Sequence, residues 1–242
     1  MNPLTASDIL NVWEQGEGQS AIERPLTILA VACPELTRAE LSALSIGLRD
    51  ALLFESRELT IGPRLDGFTA CPRCQERLEF TLDLAALPHR PTTMQADEEF
   101  ELELDGNPLR FRLPNSGDLA AVAVCEDLAT ARRRLAERCV RQASLNGNTM
   151  LRLSDDLVTK LAEQIESNAP EAEVMLDFAC PSCGRNWQSL FDIAEFFWAE
   201  IAAQARRLLR EIHLLASAYG WRESDILAMS ARRRQAYLEM IG

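Results

Sequence analysis

Two short stretches constrain this chain more than any other feature: Cys71-Pro72-Arg73-Cys74 and Cys180-Pro181-Ser182-Cys183. A Cys-x-x-Cys turn aims two thiolates at one point, and its backbone amides can hydrogen-bond the sulfurs. Two such turns supply Cys71, Cys74, Cys180 and Cys183, a closed tetrahedral set suited to Zn2+ with bonds of about 2.3 Å. The approaches are alike, Phe68-Thr69-Ala70 before the first pair and Phe178-Ala179 before the second. One pair alone is a weak signal and can be redox-active. Two Pro-containing pairs with similar flanks point to the knuckles of a zinc ribbon. A closed set leaves no position for water or substrate, so the expected ion is structural.

Roughly a hundred residues separate the pairs, far more than in a compact ribbon. The simplest account is a split ribbon with other structure inserted between its halves. The competing account is two unrelated pairs of free thiols. A thioredoxin-like role fits less well, because neither pair sits in a strand–helix context.

The other cysteines, Cys33, Cys125 and Cys139, stand alone in apolar or helical surroundings and read as buried free thiols. Of the two histidines, His89 lies in a polar stretch and His213 beside an apolar helical stripe, where a packed or hydrogen-bonded role is expected. No Gly-rich phosphate loop and no nucleophile elbow occurs. The expectation is a protein that is not an enzyme.

The remaining pattern is α+β: helical N- and C-terminal parts around a small antiparallel sheet with the split ribbon. A short helix carrying Ile9, Leu10, Val12 and Trp13 is expected, with Ser7 as its cap. Pro25–Cys33 is a second apolar run. Thr37 is placed to cap one helix through Leu52. Alternating residues over 78–84, 100–104 and 109–113 predict strands, with a turn at Asp105-Gly106-Asn107 and a loop over 88–97. Residues 118–146 and 154–167 read as two helices around Gly147-Asn148, and 174–178 as a strand. A long helix is expected over about 190–219, ended by Gly220, then a short helical pair with Ser230 as a cap. Three regions follow: a helical 1–62, a split ribbon with sheet and inserted helices over 63–188, and a helical 189–242.

Net charge is -12 over 242 residues, and Lys160 is the only lysine. An acidic surface repels phosphate backbones, which counts against general nucleic-acid binding. From Glu200 onward seven Arg face five acids, a segment of net +2 against -14 for the rest. The start, Met1-Asn2-Pro3-Leu4, does not look like a signal peptide. No apolar stretch approaches the length of a membrane span. The expected place is the cytoplasm of the producing cell.

The C-terminal residues carry a resemblance. Trp198-Ala199-Glu200-Ile201, Arg207-Leu208-Leu209-Arg210-Glu211-Ile212-His213, Ala218-Tyr219-Gly220-Trp221, Asp225-Ile226-Leu227-Ala228-Met229-Ser230 and Arg233-Arg234-Gln235-Ala236-Tyr237-Leu238 form a run, with Ile61-Gly62-Pro63-Arg64 upstream. Together they resemble a family of phage baseplate and tail assembly proteins from contractile-tailed phages and related injection systems, similar to baseplate hub assembly proteins. The resemblance implies a structural or assembly role, without catalytic residues, and with other baseplate or tail proteins as partners. Incorporation into the particle and self-association stay open. Trp198, Trp221, Arg232, Arg233 and Arg234 are candidate partner contacts, since Trp and Arg are enriched at interface hot spots. Core packing explains the two Trp equally well. The alternative function is a zinc-ribbon nucleic-acid or transcription adaptor.

Overall fold

The computed structural model describes residues 1–84, 98–104, 107–145, 148–149, 153–169 and 174–241. The expected loop over 88–97, His89, the turn at Asp105-Gly106 and Gly147 lie outside the described residues. The fold is α+β and helical at both ends, as the sequence pattern predicts.

The N-terminal helices are α1 (Ala6–Gly16), α2 (Glu23–Ala32), α3 (Arg38–Ala43) and α4 (Ile46–Thr60). Thr5, not Ser7, caps α1: its hydroxyl accepts the Asp8 amide while the Asp8 carboxylate accepts the Thr5 amide. This reciprocal box satisfies amides that the helix itself leaves free. Thr37 caps α3 in the same way through Glu40. The single helix expected beyond Thr37 is two. Leu44 is extended, and the Ser45 hydroxyl opens α4 by accepting the Leu48 amide.

The first hairpin pairs β1 (Arg64–Ala70) with β2 (Arg77–Asp83). A separate sheet follows in the order β3 (Glu99–Leu104), β4 (Asn107–Arg112), β5 (Val140–Leu145), β6 (Asn148–Thr149). Thus the expected strands belong to two sheets, not one. Residues 118–146 are not one helix either. They hold α5 (Ser116–Val122), α6 (Leu128–Cys139) and then β5. Val140 turns extended directly after α6, where it pairs with Phe111. After α7 (Asp155–Asn168), a second hairpin pairs β7 (Val174–Ala179) with β8 (Asn186–Phe191). The long helix α8 (Ile193–Tyr219) therefore starts later than expected. The Asp192 carboxylate caps it by accepting the Ala194 and Glu195 amides. Gly220, in the left-handed region at φ 69°, stops it. Two short helices, α9 (Glu223–Leu227) and α10 (Ala231–Ile241), close the described chain, and the Ser230 hydroxyl accepts the Arg233 amide.

The main core lies between α1, α2, α4 and the buried stripe of α8: Phe197, Ile201, Ala205, Leu208, Ile212 and Leu215. Leu65 and Phe191 tie both hairpins to it. A smaller core joins β4, α6 and α7 through Phe111, Ala136, Val158 and Leu161.

Asp118 braces the segment leading into that smaller core. It is fully buried and accepts from Arg112 (2.5 and 3.0 Å), Arg138 Nε (2.8 Å) and the Asn115 amide (3.0 Å). Burial opposes its charge, yet Arg112, the Asn115 amide and Arg138 outweigh that and hold the carboxyl below its usual range. A depressed acid stabilises the fold above its unfolded pKa of about 3.9, and that contribution is lost as pH falls through the folded value. Denaturant midpoints measured from pH 7 down to pH 3 are expected to fall, and Asp118→Asn to flatten the lowest part of that profile. An unchanged profile would remove Asp118 as its cause.

Candidate metal centre

Each hairpin ends in one Cys-Pro-x-Cys turn, and the two turns have the same local structure. Ala70 pairs with Arg77 at the end of one hairpin, Ala179 with Asn186 at the end of the other. In the first turn the Cys71 amide donates to the Glu76 carbonyl and the Gln75 amide to the Cys71 carbonyl, each at 2.9 Å. In the second the Cys180 amide donates to Arg185 and the Gly184 amide to Cys180, again at 2.9 Å. Gln75 (φ 61°) and Gly184 (φ 69°) occupy the same left-handed position. Glycine takes that conformation freely; a residue with a Cβ does so at a cost. The sequence signal for this equivalence was the residue directly after the second Cys of each pair.

The two turns meet. Cys71 Sγ lies 3.6 Å from Cys183 Sγ, and Cys74 Sγ 3.5 Å from Cys180 Sγ. All four sulfurs fall within 4.8 Å of one another. Four thiolates bound tetrahedrally at about 2.3 Å would stand ~3.8 Å apart, so the set fits one ion. Next to the turns, Phe178 meets Phe80 edge-on at 5.3 Å and stacks on Trp187 at 5.3 Å. This aromatic contact joins the hairpins independently of any ion.

The electrostatics of the thiols suit a metal-binding set. Burial raises Cys71, but the amides of Cys74 and Arg73 and the neighbouring Cys183 and Cys74 thiols outweigh it and bring Cys71 down to about 6. Cys74 receives the Glu76 amide, yet burial and the thiols of Cys180, Cys183 and Cys71 push it up to about 12. Cys71 thus gives up its proton more easily than Cys74.

A buried arginine fixes the base of the first hairpin. Arg57 of α4 donates through Nε and Nη2 to both Glu200 oxygens of α8, at 3.0 and 2.7 Å. Its Nη1 donates to the carbonyls of Gly62 and Arg64, at 2.5 and 2.8 Å. Nothing in the sequence singled out Arg57 among the arginines.

The other singled-out residues are placed as follows. Cys33 and Cys139 are buried, whereas Cys125 is only half-buried. Burial, with Asp118 second, pushes Cys139 up to about 12 and keeps it a thiol. His213 is exposed on α8 rather than packed. Trp198 is half-buried beneath Arg24, whose guanidinium lies 4.7 Å from the ring. Trp221 is half-buried between Tyr219 (4.4 Å, stacked) and Tyr237 (4.8 Å, edge-on). Arg232 and Arg233 are exposed, while Arg234 is buried and donates to Glu211 (2.8 Å) and the Met229 carbonyl (2.6 Å).

Trp198 also packs where α1 ends. A Cβ on Gly16 would stand 2.5 Å from two of its ring carbons. Gly16→Ala is expected to cost about 1–3 kcal/mol, the usual penalty of overpacking. A thermal melt with Trp fluorescence checks this, and a midpoint equal to wild type would show that the ring yields freely.

Comparison with known proteins decides the family. A family model described as T4 bacteriophage base plate protein matches residues 7–198. The chain belongs to that family. The matched span of this base plate chain takes in both knuckles, both hairpins and the first turns of α8. It ends at Trp198, so most of the C-terminal run that carried the resemblance lies beyond it. No curated protein and no solved structure matches the base plate chain. Among its described residues, no helix is long and apolar enough to cross a membrane.

Proposed function

We propose that this protein is a non-enzymatic structural or assembly component of a contractile tail baseplate, stapled by one structural Zn2+ on Cys71, Cys74, Cys180 and Cys183. The observation that carries this reading is the convergence of two like knuckles, from distant parts of the chain, in a base plate family member. Four thiolates favour zinc over harder cations, and a set with no open position serves structure rather than catalysis. The partners are other baseplate or tail proteins. The candidate contacts are the exposed Arg232 and Arg233, the exposed edges of Trp198 and Trp221, and Arg234 as the anchor that holds α10 in place. The protein is made in the cytoplasm of the producing cell and acts there as the baseplate forms.

The test is to produce particles with and without this chain, and with Cys180→Ser in its place. Loss of the chain is expected to leave tails without complete baseplates, with Cys180→Ser reproducing part of the defect. Mass spectrometry of finished wild-type particles then separates a resident subunit from a departing assembly factor. Complete, infectious particles made without the chain would overturn the reading.

A further inference from the structure

The two ends of α8 present surfaces of opposite character. At its start, the hairpins and the helix enclose a groove of about 510 Å³. Its walls include Phe196, Leu190 (56% exposed) and Phe68, which is 65% exposed with the Arg77 guanidinium 4.0 Å from its ring centroid. Asp66, Asp192 and Glu195 also line it. At the far end, Arg232 and Arg233 are exposed, and Met240 is 73% exposed with Ile241 beside it in sequence. The groove sets apolar groups beside carboxylates, and the α10 arm carries apolar groups with guanidinium groups on the same helix. The segment from Glu200 is net +2 and the rest -14.

The chain's own arm cannot fill its own groove. The groove reaches along α8 to Ala203, and α8 runs on to Tyr219. At ~1.5 Å per residue, its end stands ~24 Å farther on. The Arg234–Glu211 pair then pins α10 beside the distal half of α8. A neighbouring copy meets no such restriction.

We propose that the α10 arm of one copy docks in the groove of a second copy, head to tail. Met240 and Ile241 enter among Phe68, Leu190 and Phe196, and Arg232 and Arg233 face Asp192 and Glu195. This goes beyond the structural role proposed above, because it names a self-contact made by residues that are not metal ligands. A contact between two different surfaces propagates until it closes into a ring or continues as an open filament.

Sedimentation velocity of the full chain over a concentration series tests it, with Leu190→Asp as the groove variant and Arg233→Glu/Met240→Asp as the arm variant. These positions are exposed, so the fold is spared, and circular dichroism verifies that. Wild type is expected to grow in mass with concentration, and less so as salt rises, since exposed charges are screened beyond ~10 Å at 0.1 M. Each variant alone is expected to stay single. Mixed one to one, they are expected to form a two-chain species and nothing larger, because only one intact arm meets one intact groove. Wild type of single-chain mass throughout overturns the proposal, including the case where it binds only other proteins. So does association that survives in either variant alone.

Discussion

Cys71→Ser is expected to reduce bound zinc from about one ion per chain to none, with Cys180→Ser giving the same loss from the other knuckle. Three sulfurs cannot close the tetrahedral set, and the separation of the pairs in sequence makes the loss larger. Without the ion, the hairpin tips keep the aromatic contact of Phe80 with Phe178. A cross-link between distant residues removes more freedom from the unfolded chain than one between near neighbours. Structural zinc in small zinc peptides is worth on the order of 10 kcal/mol. In a chain with its own core, only part of that is expected to appear as stability. The metal must displace thiol protons, so its affinity falls as pH is lowered. Elemental analysis of both variants, with thermal melts before and after a chelator, provides the measurement. Zinc retained in one variant and lost in the other would break the single-site model and return the thiols to separate roles.

Arg57→Met is expected to destabilise the chain by about 3–5 kcal/mol, the penalty for removing one partner of a buried ion pair. The substitution nearly keeps side-chain volume, so the loss is electrostatic rather than a cavity. Glu200 keeps a largely buried charge without its partner, and the carbonyls of Gly62 and Arg64 lose their shared donor. Arg57→Lys is not expected to rescue much, because one ammonium cannot serve a bidentate carboxylate and two carbonyls at once. Arg57→Met/Glu200→Met is expected to be milder than Arg57→Met alone, since no charge is then stranded. Urea midpoints across the set measure this. A loss below about 1 kcal/mol for Arg57→Met would mean that solvent reaches Glu200 and replaces the arginine.

Several elements were legible because their signals are local. Thr37 and Gly220 mark helix ends through their own hydrogen-bonding and backbone freedom. The alternation over 78–84 and 100–104 marks strands because period two puts one face inward. Other elements were not legible. Gly67 interrupts β1, and Phe68 is largely exposed, so no clean alternation announces that strand. Leu190 and Phe191, the end of β8, were read into the long helix because Phe191 continues its apolar stripe, until the Asp192 cap separates them. Val140 to Leu145 follow α6 without a Gly or Pro, and pairing with β4 decides their conformation. Propensity is a weak prior where a neighbouring strand offers hydrogen bonds.

The same division holds at the site. By itself the sequence determined which four thiols form the candidate set, because two residues between cysteines shape the turn and the turn aims the sulfurs. It also determined the apolar stripe of α8 and the charge contrast between the two parts of the chain. Only the tertiary structure decided that the knuckles meet, with sulfurs 3.5 and 3.6 Å apart. Only there does Arg57 among the arginines become the one holding α4, α8 and the first hairpin together, and Arg234 turn inward while Arg232 and Arg233 stay out. Spacing along the chain governs neighbours a few residues apart; contacts across more than a hundred residues depend on how the helices and hairpins pack, which spacing does not encode.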